Sequence, residues 1–311
     1  MGFWFARSPT GCKHAVVEDL SCLGSAILAE AMSESKRRAN ELGGREWLRY
    51  SVSVWSDIRK TPEELALGHP ALFPQALVER LMACFTTQAD RLVLDPFAGV
   101  GSTLLAACAA GKHGVGLELS TEFGAVARRR LLEAGYRELG AGHRDAGSGS
   151  QEQVHPAFTL FQADARFLLD HVSPSSVDFC VTSPPYWDIL RQRRTADGQP
   201  VRHYGDSDGD LGAIRDYAVF IDELARVFQG VYQALRPGAY CVVVVMDLRK
   251  KSRFFPFHAD LANRLQDMGF VYDDLILWDR RQEYNNLRPL GYPYKFRVNK
   301  VHEFLLIFQK E

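Results

Sequence analysis

The sequence predicts an α/β fold: a seven-stranded, mostly parallel sheet with one antiparallel strand and helices on both faces. Three observations predict it. From residue 91 onward, short β-rich apolar runs alternate with amphipathic stretches whose apolar residues recur at three- and four-residue spacing. Those stretches fill the gaps between successive strands, as crossover helices of a parallel sheet must. The last two strands are joined instead by a Pro/Gly/Tyr-rich loop, which makes them an antiparallel pair.

The elements follow in order. Strands are read at 91–96, 114–119, 158–163, 177–182, 239–246, 270–278 and 302–309. Helices are read at about 102–111, 121–135, 165–171, 213–235 and 257–268. Residues 140–153 (GAGHRDAGSGSQEQ) read as a flexible surface loop. Residues 1–50 read as a helical, patchily polar N-terminal extension without legible chemistry, leaving 51–311 as one domain.

Composition narrows the function. The 311 residues, 46% of them hydrophobic, suffice for one large core. The longest apolar runs, Tyr240 to Met246 and Phe304 to Phe308, fall far short of the ~20 residues of a membrane helix. No signal-peptide stretch precedes Arg7, Lys13 and Glu18, so a soluble, cytoplasmic protein is expected, nucleoid-associated if the source is bacterial. Cys12, Cys22, Cys84, Cys108, Cys180 and Cys241 form no CxxC pair, so buried reduced thiols are expected, and no metal site. A net charge of −1 argues against a protein that coats nucleic acid by bulk electrostatics. Any basic surface must be local. The candidates are Arg191, Arg193 and Arg194; Arg249, Lys250, Lys251 and Arg253; Arg280 and Arg281; and Lys295 with Arg297.

The chemistry starts at the first strand, which runs into Asp95-Pro96-Phe97-Ala98-Gly99-Val100-Gly101-Ser102-Thr103. Gly99 and Gly101 at a strand-to-helix turn let a ligand approach the backbone, and Asp95 at the strand end can hold an ammonium group. A tight turn without a ligand would leave the same pattern. The next strand brings Glu118, beside Leu119, about 20 residues further on, where an acid can accept both hydroxyls of a ribose. The third ends at Asp164, followed by Ala165. Helix capping is the competing role for either acid. Together, three acids at successive strand ends suit an ammonium, a ribose and an adenine amino group.

The fourth strand ends in Ser183-Pro184-Pro185-Tyr186-Trp187. The prolines fix the chain extended and leave carbonyls free for a ligand. Ser183 Oγ and the Pro184 carbonyl can accept protons from an exocyclic amine, whose conjugated lone pair makes it a poor nucleophile. Tyr186 offers a ring on which an extruded base can stack. A Pro-Pro turn with a buried aromatic is the plainer alternative.

DPFAGVGST together with TSPPYW resembles the S-adenosylmethionine-dependent amino-methyltransferases of DNA, above all the N4-cytosine branch. The resemblance implies a class I methyltransferase, Rossmann-like fold, S-adenosyl-L-methionine as cofactor and DNA as partner, with RNA or adenine N6 as alternative targets. It extends to His69-Pro-Ala-Leu-Phe73-Pro, similar to the family segment that encloses the methionine end of the cofactor. It extends also to Arg288 through Arg297 with His302 and Glu303, similar to the closing segment before the last strand. Trp187, Arg191, Arg193, Arg194, Arg249, Lys250, Arg253, Arg280, Lys295 and Arg297 are the expected nucleic-acid contacts. Two features depart from the branch. The glycine turn precedes SPPY, a permuted order, and outside the catalytic core only residues 1–50, 187–212 and 280–297 are left for target recognition. A covalent C5-cytosine mechanism is disfavoured because no Pro-Cys pair occurs. A catalytically inactive nucleic-acid-binding subunit is the non-enzymatic alternative.

Overall fold

The computed structural model describes residues 38–68, 72–140, 156–191, 209–284 and 287–311. Residues Ala39–Glu311 form one unit. In chain order its helices are α1 (Gly44–Tyr50), α2 (Pro62–Ala66), α3 (Gln75–Phe85), α4 (Ser102–Ala109), α5 (Thr121–Glu133), α6 (Tyr217–Ala234) and α7 (Phe257–Gln266). Its strands are β1 (Val54–Trp55), β2 (Leu92–Asp95), β3 (His113–Leu117), β4 (Arg137–Glu138), β5 (Ala157–Phe161), β6 (Val177–Thr182), β7 (Leu235–Val245), β8 (Leu248–Lys250), β9 (Arg253–Phe255), β10 (Phe270–Asp279) and β11 (His302–Lys310).

Nine of the described strands make one sheet, in the order β1-β10-β11-β7-β6-β2-β3-β5-β4. Every pairing is parallel except the two made by β11, which runs antiparallel to both β10 and β7. The expected fold class is what forms, and each expected strand has its counterpart. The sheet is wider than seven strands, however, because the two-residue strands β1 and β4 add to its edges. Such short pieces carry no readable periodicity. β8 and β9 pair as a separate hairpin, two strands that are not among the seven expected from sequence.

Burial explains the parallel sheet. Along β7, Cys241, Val243 and Val245 pack toward α6 and α7, while Val242 and Val244 pack toward α3 and α4. A strand covered on both faces has no polar side to show, which is why this run reads as uninterrupted hydrophobics. Asp216 caps α6 by accepting from the Val219 N–H at 3.0 Å. α6 therefore begins at Tyr217, after a separate 3-10 turn at Leu211–Ala213. Residues 165–170 form a 3-10 segment, not an α-helix. At the N-terminal side, α1 belongs to the same unit. Trp55 Nε1 donates to the Tyr50 carbonyl at 3.0 Å, and the Arg80 guanidinium lies 4.7 Å from the Tyr50 ring. Of the extension read at 1–50, residues 1–37 lie outside the described residues, as do 141–153 of the loop expected at 140–153.

Candidate active site

The carboxyl ends of β2, β3, β5 and β6 lie side by side, since these strands are mutually parallel neighbours. In such a sheet that edge is where a ligand crevice opens. A cavity of about 860 Å³, measured out to its open mouth, lies there. Phe73, Pro96, Phe97, Gly99, Ser102, Glu118, Leu119, Asp164, Ala165, Ser183 and Pro185 line it. Residues from both motifs, more than 80 positions apart in sequence, thus share one wall.

The turn after β2 is built from the inside. Asp95 is buried, and its carboxylate accepts from Thr103 Oγ1 and Thr182 Oγ1, each at 2.6 Å, and from the Phe97 N–H at 3.0 Å. It does not line the cavity. The expectation that Asp95 holds an ammonium is therefore corrected: its carboxylate ties the turn to β6 and α4. Burial raises its pKa to about 6 against the pull of those hydrogen bonds. The two glycines divide their work as well. Gly99 lines the cavity, whereas Gly101, at φ +85°, faces α5, where an added Cβ would come 3.0 Å from Ala127 Cβ. Thr103 also stands behind the wall, serving Asp95. Arg130 Nη1 donates to the Val100 carbonyl at 2.5 Å and braces the turn from α5.

Glu118 receives the N–H groups of Gly99 and Ser120, both at 2.8 Å, one on each carboxylate oxygen. Each oxygen keeps a lone pair for a hydroxyl donor. Burial, partly countered by those two bonds, raises its pKa to about 7. Asp164 is clasped by Arg166, with Nη2 at 2.6 Å from Oδ2, and Arg166 is held in turn by Glu223 at 2.6 Å. Ser102 Oγ, at the start of α4, is buried on the cavity wall without a protein partner. The sequence reading missed Leu72, Ser120, Ala163, Gly209, Asp210 and Leu211, which also line the cavity. Gly209–Leu211 stand at no fixed offset from either motif, so no spacing signal marks them. His69 lies outside the described residues.

On the other side, Ser183 Oγ is 3.2 Å from Tyr186 Oη, and Tyr186 Oη donates to Glu303 Oε2 at 3.3 Å. Glu303 is buried and paired with Arg280 Nη1, while Arg280 Nη2 donates to Glu283 Oε2 at 2.6 Å. Two expectations fall here. Tyr186 is buried behind Ser183, so its ring is no open stacking platform. Arg280 is not a phosphate contact, since its charge is neutralised inside. Burial opposes that charge, but Glu303 and Glu283 more than offset it and hold its pKa above the ordinary value. Glu303 was visible only within the closing segment of the resemblance. Its distance of 117 residues from Tyr186 hides the contact.

The expected nucleic-acid contacts separate in the same way. Trp187 is buried at 4% exposure, edge-on to Tyr217 and Phe255 at 5.1 and 5.0 Å, and cannot meet a nucleic acid in this conformation. Lys250 Nζ pairs with Asp188 Oδ2 at 2.5 Å and sits 3.8 Å from the Trp187 ring centroid, so it fastens the hairpin instead of facing outward. Arg249, Arg253 and Lys295 are exposed, and Arg297 is half-buried. Arg191 ends a 3-10 turn, and Arg193 and Arg194 lie outside the described residues. The described cysteines are free thiols. Burial pushes Cys84 up to about 11 and Cys108 up to about 12, which disfavours thiolate chemistry at neutral pH.

A doubly covered parallel sheet with one antiparallel strand, opening on a glycine turn and two acids at its carboxyl edge, has the class I methyltransferase fold. More narrowly, the chain belongs to the N6/N4-type DNA methylase family, whose profile matches residues 25–129 and 177–311. It is similar to the type II methyltransferase M2.DpnII of Streptococcus pneumoniae, 35% identical over 142 residues, or 42% of this chain and 52% of that relative. It is also similar to the DNA adenine methyltransferase YhdJ of Escherichia coli K12, 33% identical over 115 residues, or 35% of this chain and 38% of that one. Among solved structures, TTHA0409 of Thermus thermophilus in complex with S-adenosyl-L-methionine is 33% identical, covering 48% of this chain and 53% of that chain with a TM-score of 0.34. The chain spans about half or less of the length of these curated relatives. Among the described residues no helix is long and apolar enough to cross a membrane.

Proposed function

We propose that this chain transfers a methyl group from S-adenosyl-L-methionine to the exocyclic amino group of a base in DNA, and that the base is cytosine, at N4. One observation carries the reading: Ser183 and Pro185 line the same cavity as Gly99, Glu118 and Asp164. An amine held at SPPY and a cofactor held by the acids therefore meet in one space.

The residues present fit the cofactor. Glu118 retains acceptor capacity for a ribose, Asp164 stands at the next strand end for an adenine amino group, and Ser102 offers a buried hydroxyl without a protein partner. Phe73, Phe97 and Leu211 supply apolar wall that keeps water out. The bound cofactor supplies an electrophilic methyl on a sulfonium. The chain supplies position: Ser183 Oγ accepts a proton of the amino group, and its contact with Tyr186 fixes the hydroxyl's direction. The proton shed on methylation has a hydrogen-bonded route from Ser183 through Tyr186 to the Glu303 carboxylate. Transfer is a direct displacement without a covalent enzyme intermediate, in keeping with the raised thiol pKa values.

Cytosine is preferred because Ser183 opens the SPPY motif, as in the N4 branch that the chain resembles. The test is to incubate the protein with cofactor and duplex DNA, digest to nucleosides and identify the product by mass spectrometry. N4-methylcytosine is expected. N6-methyladenine would overturn the choice of base, methylation of RNA alone would overturn DNA as substrate, and no product would overturn the activity.

A further inference from the structure

One feature outside the cavity resists explanation as core or as ordinary surface. Between β10 and β11 the segment 287–301 (LRPLGYPYKFRVNKV) holds Tyr292, Tyr294 and Phe296 at 79%, 95% and 92% exposure. Three large rings left in water within five residues form an apolar tip, the kind of surface that marks an interaction site. The tip is a built turn. The Tyr294 and Lys295 N–H groups both donate to the Gly291 carbonyl, at 2.9 and 2.8 Å, and Asn299 Nδ2 closes the base by donating to the Arg288 carbonyl at 2.9 Å. Gly291, at φ +79°, is required there, because a Cβ would lie 2.0 Å from the Lys295 carbonyl oxygen.

Charge and topology say what the tip meets. The segment carries four cations and no acid, and the hairpin segment 248–255 (LRKKSRFF) likewise carries four and none, in a chain whose net charge is −1. Arg297 Nη1 donates to the Lys251 carbonyl at 3.1 Å, joining the two segments, and Lys300 Nζ stands 4.3 Å from the Phe254 ring. β6, β7 and β10 run in one direction, so the hairpin after β7 and the segment after β10 leave the sheet at the edge that carries Ser183. Aromatic rings on a cationic mount beside the acceptor site match a polyanion with stacked bases.

We infer that this segment is a wedge that enters duplex DNA beside the target. Tyr294 and Phe296 occupy the stacking space a flipped base vacates, while Lys295, Arg297 and the hairpin hold the flanking phosphates. The inference rests on the proposed DNA reading and supplies the stacking surface that buried Tyr186 cannot. It is tested with the double variant Tyr294→Ser/Phe296→Ser, whose nearly full exposure leaves the core untouched. On paired duplex, kcat/KM should fall by about tenfold or more, the scale of a lost base–aromatic stack. On the same duplex with an abasic site opposite the target base, where unpairing is already done, it should return to within about threefold of the parent. Cofactor affinity should not change in the double variant. Equal losses on both duplexes, or none on the paired one, would overturn the wedge. A second readout does not depend on methylation: the parent, but not the double variant, should raise the fluorescence of 2-aminopurine placed in the duplex. If the parent transfers no methyl to DNA yet gives this signal, the activity reading fails and the wedge stands. If the parent gives no signal, or if the double substitution instead turns a dimer into a monomer, the segment is not a DNA wedge.

Discussion

The two halves of the active edge differ in how they are held together. On the cofactor side, the turn after β2, Glu118 and the start of α4 are fixed mainly by backbone N–H groups and by side chains one strand away. Gly99 to Glu118 at 2.8 Å and Thr103 to Asp95 at 2.6 Å are typical. On the target side, Ser183 depends on Tyr186, then on Glu303 and Arg280, partners drawn from the far end of the chain. Local backbone geometry leaves a spacing signature in sequence, whereas a relay of side chains across more than a hundred residues leaves none. Hence most of the cofactor-side candidates line the cavity, while Tyr186, Trp187, Lys250 and Arg280 turn inward.

The sharpest way to break this contrast is Arg280→Ala. Removing a buried cation strands Glu303 and Glu283, so unfolding in urea should show a loss of about 3–5 kcal/mol. Unchanged stability would mean that Arg280 is free for a ligand after all. Next is Ser183→Ala, which should slow single-turnover methylation about a hundredfold, as loss of one preorganised polar group does, with cofactor affinity intact. Tyr186→Phe should slow it less, and combining the two should add little, because both act on one path. Additive losses would dissolve the path.

Glu118→Ala should weaken cofactor binding by about 1.5–3 kcal/mol in calorimetry. Parent affinity should also decline as pH drops through about 7, where Glu118 gains a proton and an oxygen that could accept becomes a donor. Stability moves the opposite way. A folded pKa near 7 against an ordinary value of 4.5 means that the stabilising contribution is complete below 4.5 and lost as pH rises through 7. Glu118→Gln should therefore melt above the parent at pH 8, with the gap closing by pH 5. Melting curves that keep the same separation at both pH values would show that Glu118 is ionised without strain. The smallest effect is expected from Arg249→Ala on the exposed hairpin, which should lower the salt slope of DNA binding by about 0.9 for one phosphate contact. Equal weakening at every salt concentration would remove Arg249 from the phosphate-binding set.

Periodicity and motif alone determined the seven inner strands of the sheet, the single antiparallel strand among them and the acids at its edge. A parallel sheet buried on both faces must be written in unbroken apolar runs, and a ligand turn must be written in Asp, Gly and small residues at fixed offsets. Only the tertiary structure decided what each polar group does with its charge. Asp95 and Glu118 look alike in sequence, each an acid at a strand end. Burial among Thr103, Thr182 and Phe97 makes the first a fastening, and a place on the cavity wall leaves the second with capacity for a ligand. Arg280 and Arg249 likewise follow strands alike. The first meets two carboxylates and the second meets solvent, because desolvation and pairing are properties of the folded neighbourhood and not of the residue.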